Sequence, residues 1–155
     1  MKNRGFEIAK GWEDKDIHLP IRKTKYSAGY DIEAAEDIIV PSFKKGMMPT
    51  MISTGIKAYM QSDEVLYLYN RSSNPKKKGL ILANSVGVVD KDYYGNIDND
   101  GHIMFAFYNI KDEDILVKKG DAIGQGIFAK YLITDNDIPA SEVRVGGFGS
   151  TDNKI

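Results

Sequence analysis

The chain has 155 residues, 42% of them apolar, no cysteine and a formal net charge of -1. That length and apolar share support one domain around one sizeable core. The missing thiols exclude cysteine nucleophiles, thiolate metal sites and disulfides and fit a reducing, cytoplasmic setting, while the near-neutral charge argues against a protein built to grip nucleic-acid backbone.

Met1 to Lys15 holds basic residues with no apolar run behind them, and no stretch approaches the roughly 20 apolar residues of a membrane span. Neither a nucleic-acid nor a membrane partner is expected. A polar island, Ala28-Gly29-Tyr30-Asp31, precedes the predicted strand Ile38–Val40, which Pro41-Ser42 closes. The strand Val65–Tyr69 leads into Arg71-Ser72-Ser73 and the turn Ser73-Asn74-Pro75, then Lys76-Lys77-Lys78, read as solvated loop charges. Leu80–Leu82 is the next strand, and Leu80–Ala83 with Val88–Val89 flank Asn84–Gly87 as a hairpin. Gly95-Asn96 and Asp98-Asn99-Asp100-Gly101 are turns before the strand Ile103–Tyr108. Ile115–Val117, the turn Lys119-Gly120-Asp121 and a last strand over Ile127–Ile133 complete the series. No run of 12 residues carries a capped 3.6-residue apolar stripe, so the fold is all-β, a sandwich or jelly roll with at most a short helix. Val65–Tyr69 and Ile103–Tyr108 are apolar on both faces, which either core burial or a subunit contact explains.

Most catalytic signatures are missing: there is no phosphate-binding P-loop, no G-x-G-x-x-G and no G-x-S-x-G elbow. His18 and His102 stand far apart without metal-ligand spacing and read as surface or loop residues. What remains is five polar islands between apolar strands. They are Ala28 to Asp31, Arg71 to Ser73, Asn84 to Gly95, Gly120 to Gln125, and the tail Arg144 to Thr151. Each alone is explicable as turn chemistry. In the tail, glycine-exposed amides beside Arg144, Ser150 and Thr151 read either as an anion-binding nest or as a frayed terminus.

Together the islands resemble the five ordered motifs of the trimeric dUTPase family, from about Tyr26 to Thr151. Ala28-Gly29-Tyr30-Asp31-Ile32-Glu33-Ala34 matches the first motif and Arg71-Ser72-Ser73 the second. Asn84, Gly87, Val89, Asp90, Tyr93 and Gly95 match the third; Gly120, Asp121, Ile123 and Gln125 the fourth; Gly146-Gly147-Phe148-Gly149-Ser150-Thr151 the fifth. The departures are Asn70 where the family commonly has proline, Asn96 for an acidic residue, Ala122 for a basic one, and a single residue between Arg144 and the glycine pair.

The resemblance implies a distorted jelly-roll or β-clip domain over residues 1–143, with a flexible arm at 144–155. It implies a homotrimer whose active sites are shared between subunits, hydrolysing dUTP to dUMP and pyrophosphate with Mg2+. Such an activity limits uracil incorporation into DNA and supplies dUMP for thymidylate synthesis. Asp90 is the implied general base for water attacking the α-phosphorus. Arg71, Ser72, Ser73, Gln125, Arg144, Gly149, Ser150 and Thr151 are the implied phosphate contacts. Asn84, Gly87 and Val89 belong to the uracil-reading segment, Tyr93 packs against deoxyribose, and Phe148 closes over the base. No direct protein ligand to the metal is expected; Asp31 either joins its water shell or is a structural carboxylate. A dCTP deaminase, similar in fold and assembly, is the rival enzyme, and a nucleotide-sensing regulator the rival of another class.

Overall fold

The computed structural model describes residues 1–140, 144 and 146–148. Eleven strands make up its regular structure: β1 (Gly5–Ile8), β2 (Tyr30–Glu33), β3 (Ile38–Val40), β4 (Thr50–Ser53), β5 (Ile56–Tyr59), β6 (Glu64–Asn70), β7 (Leu80–Leu82), β8 (Gly87–Val89), β9 (Met104–Asn109), β10 (Ile115–Val117) and β11 (Ala122–Lys130). Among the described residues, helical structure is confined to single turns at Phe43–Lys45, Asn74–Lys78 and Lys91–Tyr93. The all-β expectation holds, and among the described residues no helix is long and apolar enough to cross a membrane.

Four antiparallel sheets share one core. The largest has the order β2-β11-β6-β8 and faces a three-stranded sheet β4-β9-β7, with pairs β1-β5 and β10-β3 at the margins. Alternation does the packing: β9 buries Phe105 and Phe107 while Ala106 and Tyr108 stay partly exposed. The two phenyl rings stack 6.0 Å apart. Ile32, Ile52, Leu66, Leu80, Ile103, Val117 and Ile123 fill the space around them. At Gly124 a side chain would come 2.2 Å from the Phe105 ring, so glycine lets β11 pass over the stacked pair. A register shift between Ala122 and Gly124 accompanies that passage. Leu66 and Leu68 likewise face the chain's own core, which accounts for much of the apolar character of β6.

Several expectations are corrected. Leu80–Ala83 and Val88–Val89 do not pair as a hairpin: β7 pairs with β9, whereas β8 pairs with β6 in the other sheet. The turn at Asn84–Gly87 is a crossing between layers. The last strand begins at Ala122 and ends at Lys130, so the fourth polar island is largely strand and Tyr131–Ile133 lies beyond it. Tyr30 and Asp31 likewise belong to β2 rather than to a turn.

The N-terminal strand is fastened by charge. Glu64 is 3% exposed, and its carboxylate accepts from Arg4 at 2.9 and 2.5 Å and from the Gln61 amide at 3.0 Å. A buried carboxylate without such partners would be strongly unfavourable.

Candidate active site

A cavity of about 270 Å³ opens where β8 and the turn after it meet β9 and the arm. Its lining includes Asn84, Gly87, Val88, Val89, Asp90 and Tyr93 from the third motif, with Arg144, Gly147 and Phe148 from the fifth. Leu68, Ile103 and Met104, which the sequence reading did not single out, complete it from β6, the end of the preceding loop and β9.

Local geometry explains why the motif needs its residue types. Gly87 opens β8 opposite Leu68, and a side chain there would come 2.9 Å from the Leu68 Cβ. Ser85 takes a positive φ of 61°, turning the chain from one sheet to the other. Val89 is buried against the core, which fixes the next residue, Asp90, at the edge of the cavity with its side chain 46% exposed. A single helical turn follows and returns Tyr93 to the core at 8% exposure, so this tyrosine is at once core and cavity wall. Burial pushes the Tyr93 hydroxyl's pKa up, keeping it a neutral phenol.

Two carboxylates converge on one guanidinium. Arg144 Nη2 lies 2.5 Å from Asp90 Oδ2, and its Nε 3.1 Å from Asp92 Oδ1. The arm lies close: a side chain at Gly147 would come 2.6 Å from the Tyr93 ring. Phe148 stands at the mouth, 68% exposed. Gly149, Ser150 and Thr151 lie outside the described residues.

The remaining predicted residues gather elsewhere. Arg71 follows β6 and donates from Nη1 to the Ala122 carbonyl at 3.2 Å. Gln125 Nε2 donates to the Asn70 carbonyl at 3.2 Å, and Gln125 pairs with Asp31 across β11 and β2. Asn70, in the proline position of the family pattern, ties this corner together. Its Oδ1 accepts from the Arg71 amide and from Asn74, and its Nδ2 donates to the Leu80 carbonyl. Ser72 and Ser73 lie on the loop so held. Register sets the separation: Val89 faces Leu66, and Arg71 lies five residues farther along the β6 direction, roughly 17 Å at strand rise. Within one chain the arginine loop and Asp90 thus form two clusters at opposite ends of β6.

Among the described residues no group of three His, Cys, Asp or Glu side chains forms a metal cage. Asp90 and Asp92 together are hard oxygen donors of the kind Mg2+ takes, suited to an ion that arrives with phosphate and keeps its own waters. His102 is not a ligand candidate: its ring packs 5.2 Å from Trp12, and Nε2 accepts from the Gly55 amide at 3.0 Å.

Comparison with known proteins agrees with the motif reading. The dUTPase family model matches residues 15–152. The deoxyuridine 5'-triphosphate nucleotidohydrolase of Lactococcus lactis is 53% identical over 152 residues, covering 97% of this chain and 99% of that protein. The crystal structure of dUTPase from Streptococcus mutans superposes with a TM-score of 0.79 at 44% identity, covering 85% of this chain and 99% of that one. A glycine-to-serine mutant of the Staphylococcus bacteriophage 80alpha dUTPase, solved with dUpNHpp, is 19% identical with a TM-score of 0.65, covering 97% of this chain and 99% of that one, and shares the fold. By family model and by close relatives over nearly its full length, this chain belongs to the dUTPase family of enzymes.

Proposed function

We propose that the protein hydrolyses dUTP to dUMP and pyrophosphate, with Asp90 as general base and Mg2+ as cofactor. The observation that carries the reading is the single cavity in which Asp90, Tyr93 and the Asn84–Gly87 turn meet Arg144 and Phe148 of the arm. Asp90 is exposed enough to reach a water and close enough to the cavity to aim it at the α-phosphorus. When bound, Mg2+ supplies neutralisation of the phosphate charge. Asp90 and Asp92 are the residues that would hold its waters. Arg144 can exchange its two carboxylates for phosphate oxygens, with Gly149, Ser150 and Thr151 adding neutral donors as the arm, residues 144–155, closes and Phe148 covers the base. The turn at Asn84–Gly87 reads the uracil edge, and Tyr93 packs on the deoxyribose.

Arg71, Ser72, Ser73 and Gln125 serve the same nucleotide from a neighbouring subunit of a homotrimer. The separation of the arginine loop from Asp90 supports this, because a triphosphate cannot span the roughly 17 Å of strand between Leu66, opposite Val89, and Arg71. The reaction removes dUTP from the pool open to DNA synthesis, and its product dUMP is the acceptor a thymidylate-forming methylation requires.

The test is a panel of dUTP, dCTP, dTTP and UTP with the wild type and Asp90→Asn, in Mg2+ and in EDTA. Pyrophosphate release from dUTP alone, lost in EDTA and in the variant, is expected. Ammonia release from dCTP, or full activity of Asp90→Asn, would overturn the proposal.

A further inference from the structure

The wall residue Tyr93 is tethered at both ends by two asparagines. Its hydroxyl donates to the His102 carbonyl at 2.6 Å and accepts from Asn99 Nδ2 at 2.8 Å. Asn99 has no freedom to flip, since its Oδ1 accepts from Asn96 Nδ2 at 2.8 Å and from the Gly101 amide at 3.0 Å. Its NH2 group must therefore face the phenol.

Asn96, itself 8% exposed, sets the other end. Its Nδ2 also donates to the Tyr93 carbonyl at 2.7 Å, and its Oδ1 accepts from the Asp98 and Asn99 amides. An aspartate at 96 would keep the two accepted bonds and lose both donated ones. The tether thus needs amides at both positions, which turn formation alone does not. It sits behind the one aromatic ring that is both core and cavity wall.

We infer that Asn99, oriented by Asn96, is a positioning residue that fixes how far the Tyr93 ring stands into the cavity and so sets discrimination between 2′-deoxyribose and ribose triphosphates. This rests on the dUTPase reading above. A ring held only by packing can retreat, and retreat at that wall makes room for a 2′-oxygen. Loss of the tether therefore acts on UTP more than on dUTP, which already fits.

The experiment compares kcat/KM for dUTP and UTP in the wild type, Tyr93→Phe, Asn99→Asp and the double variant. Tyr93→Phe keeps the ring and removes one oxygen. Asn99→Asp leaves the hydroxyl's single proton contested between a carboxylate and the His102 carbonyl. Each single variant is expected to lower the dUTP:UTP ratio roughly fivefold, the scale of one hydrogen bond, chiefly by raising kcat/KM for UTP. The double variant should lose no more than Tyr93→Phe alone, because removing the hydroxyl already removes the contact that Asn99 makes. Unchanged ratios in Tyr93→Phe, multiplying losses in the double variant, or a wild type indifferent to the 2′-hydroxyl would each overturn the inference. If Asn99→Asp does not fold, Asn99→Ser, which removes the amide donor and keeps a polar side chain, takes its place, and an unchanged ratio there overturns the inference. A wild type inert toward dUTP fails the functional proposal itself, a result distinct from these.

Discussion

Arg144 Nη2 sits 2.5 Å from Asp90 Oδ2, so the arm's only described cation is held on the carboxylate proposed to activate water. Its second partner, Asp92, lies 3.1 Å from Nε of the same guanidinium. The two carboxylates should therefore respond differently to neutralisation.

Asp90→Asn is expected to slow dUTP turnover about 10²- to 10⁴-fold, the usual contribution of a general base, with the fold intact because the side chain is half exposed. Asp92→Asn removes one exposed ion pair and one of the two carboxylates that would hold the Mg2+ waters, and should slow turnover less than Asp90→Asn while raising the Mg2+ concentration needed for half-maximal rate. Steady-state pyrophosphate release from the two variants across a Mg2+ titration separates the base from the residue that only helps to hold the metal's waters.

Truncation before Arg144 is expected to leave the sheets intact, since none of the arm's described residues belongs to the core cluster. Turnover should fall about 100-fold as phosphate positioning is lost. Circular dichroism paired with a kinetic assay checks both halves, and undiminished turnover would remove the lid role.

The two clusters at opposite ends of β6 predict complementation. Asp90→Asn and Arg71→Ala chains should each be nearly inactive alone. Unfolded together and refolded as mixed trimers, they should recover part of the wild-type rate, because some sites then draw both intact clusters from different subunits. No recovery in trimers verified as mixed would argue for sites built within one chain.

His102 carries a pH dependence of stability. Burial lowers its pKa below the ordinary 6.5, and its Nε2 must stay unprotonated to accept from Gly55. A folded-state value below the unfolded one means that stability is full above pH 6.5 and falls as the pH drops through that value toward the depressed one. The melting temperature should decline between pH 7 and about 5 in the wild type and less in His102→Gln, which keeps an acceptor. Equal slopes in the two proteins would contradict this assignment.

Much of the fold could be read in advance where strands were long or strongly apolar: β3, β7 and β10 lie where predicted, and β6 and β9 differ by one residue at their ends. β1, β4 and β5 were missed because four residues carry too little alternation to stand out from loops. The supposed hairpin at Asn84–Gly87 failed for a different reason. Its local residues favour a turn, but Leu80 and Leu82 bury better against β9, and Gly87 and Val89 against β6.

Asp90, Tyr93 and Arg144 could be named from motif spacing, yet their division from Arg71 and Gln125 could not, because it follows from strand register rather than from chain order. Asn99 was visible only as a turn former. Asn96 gave a faint signal, an amide where an acid is common, and its meaning emerged only with its four hydrogen bonds.

The crossing from β7 to β8 gives the proposed nucleotide pocket a mechanical character. A loop within one sheet could flex with that sheet alone, whereas Ala83–Val86 is anchored in two layers whose strands have different neighbours. A base seated there braces both layers at once, and amide exchange should slow in β6 and β9 together when the ligand arrives.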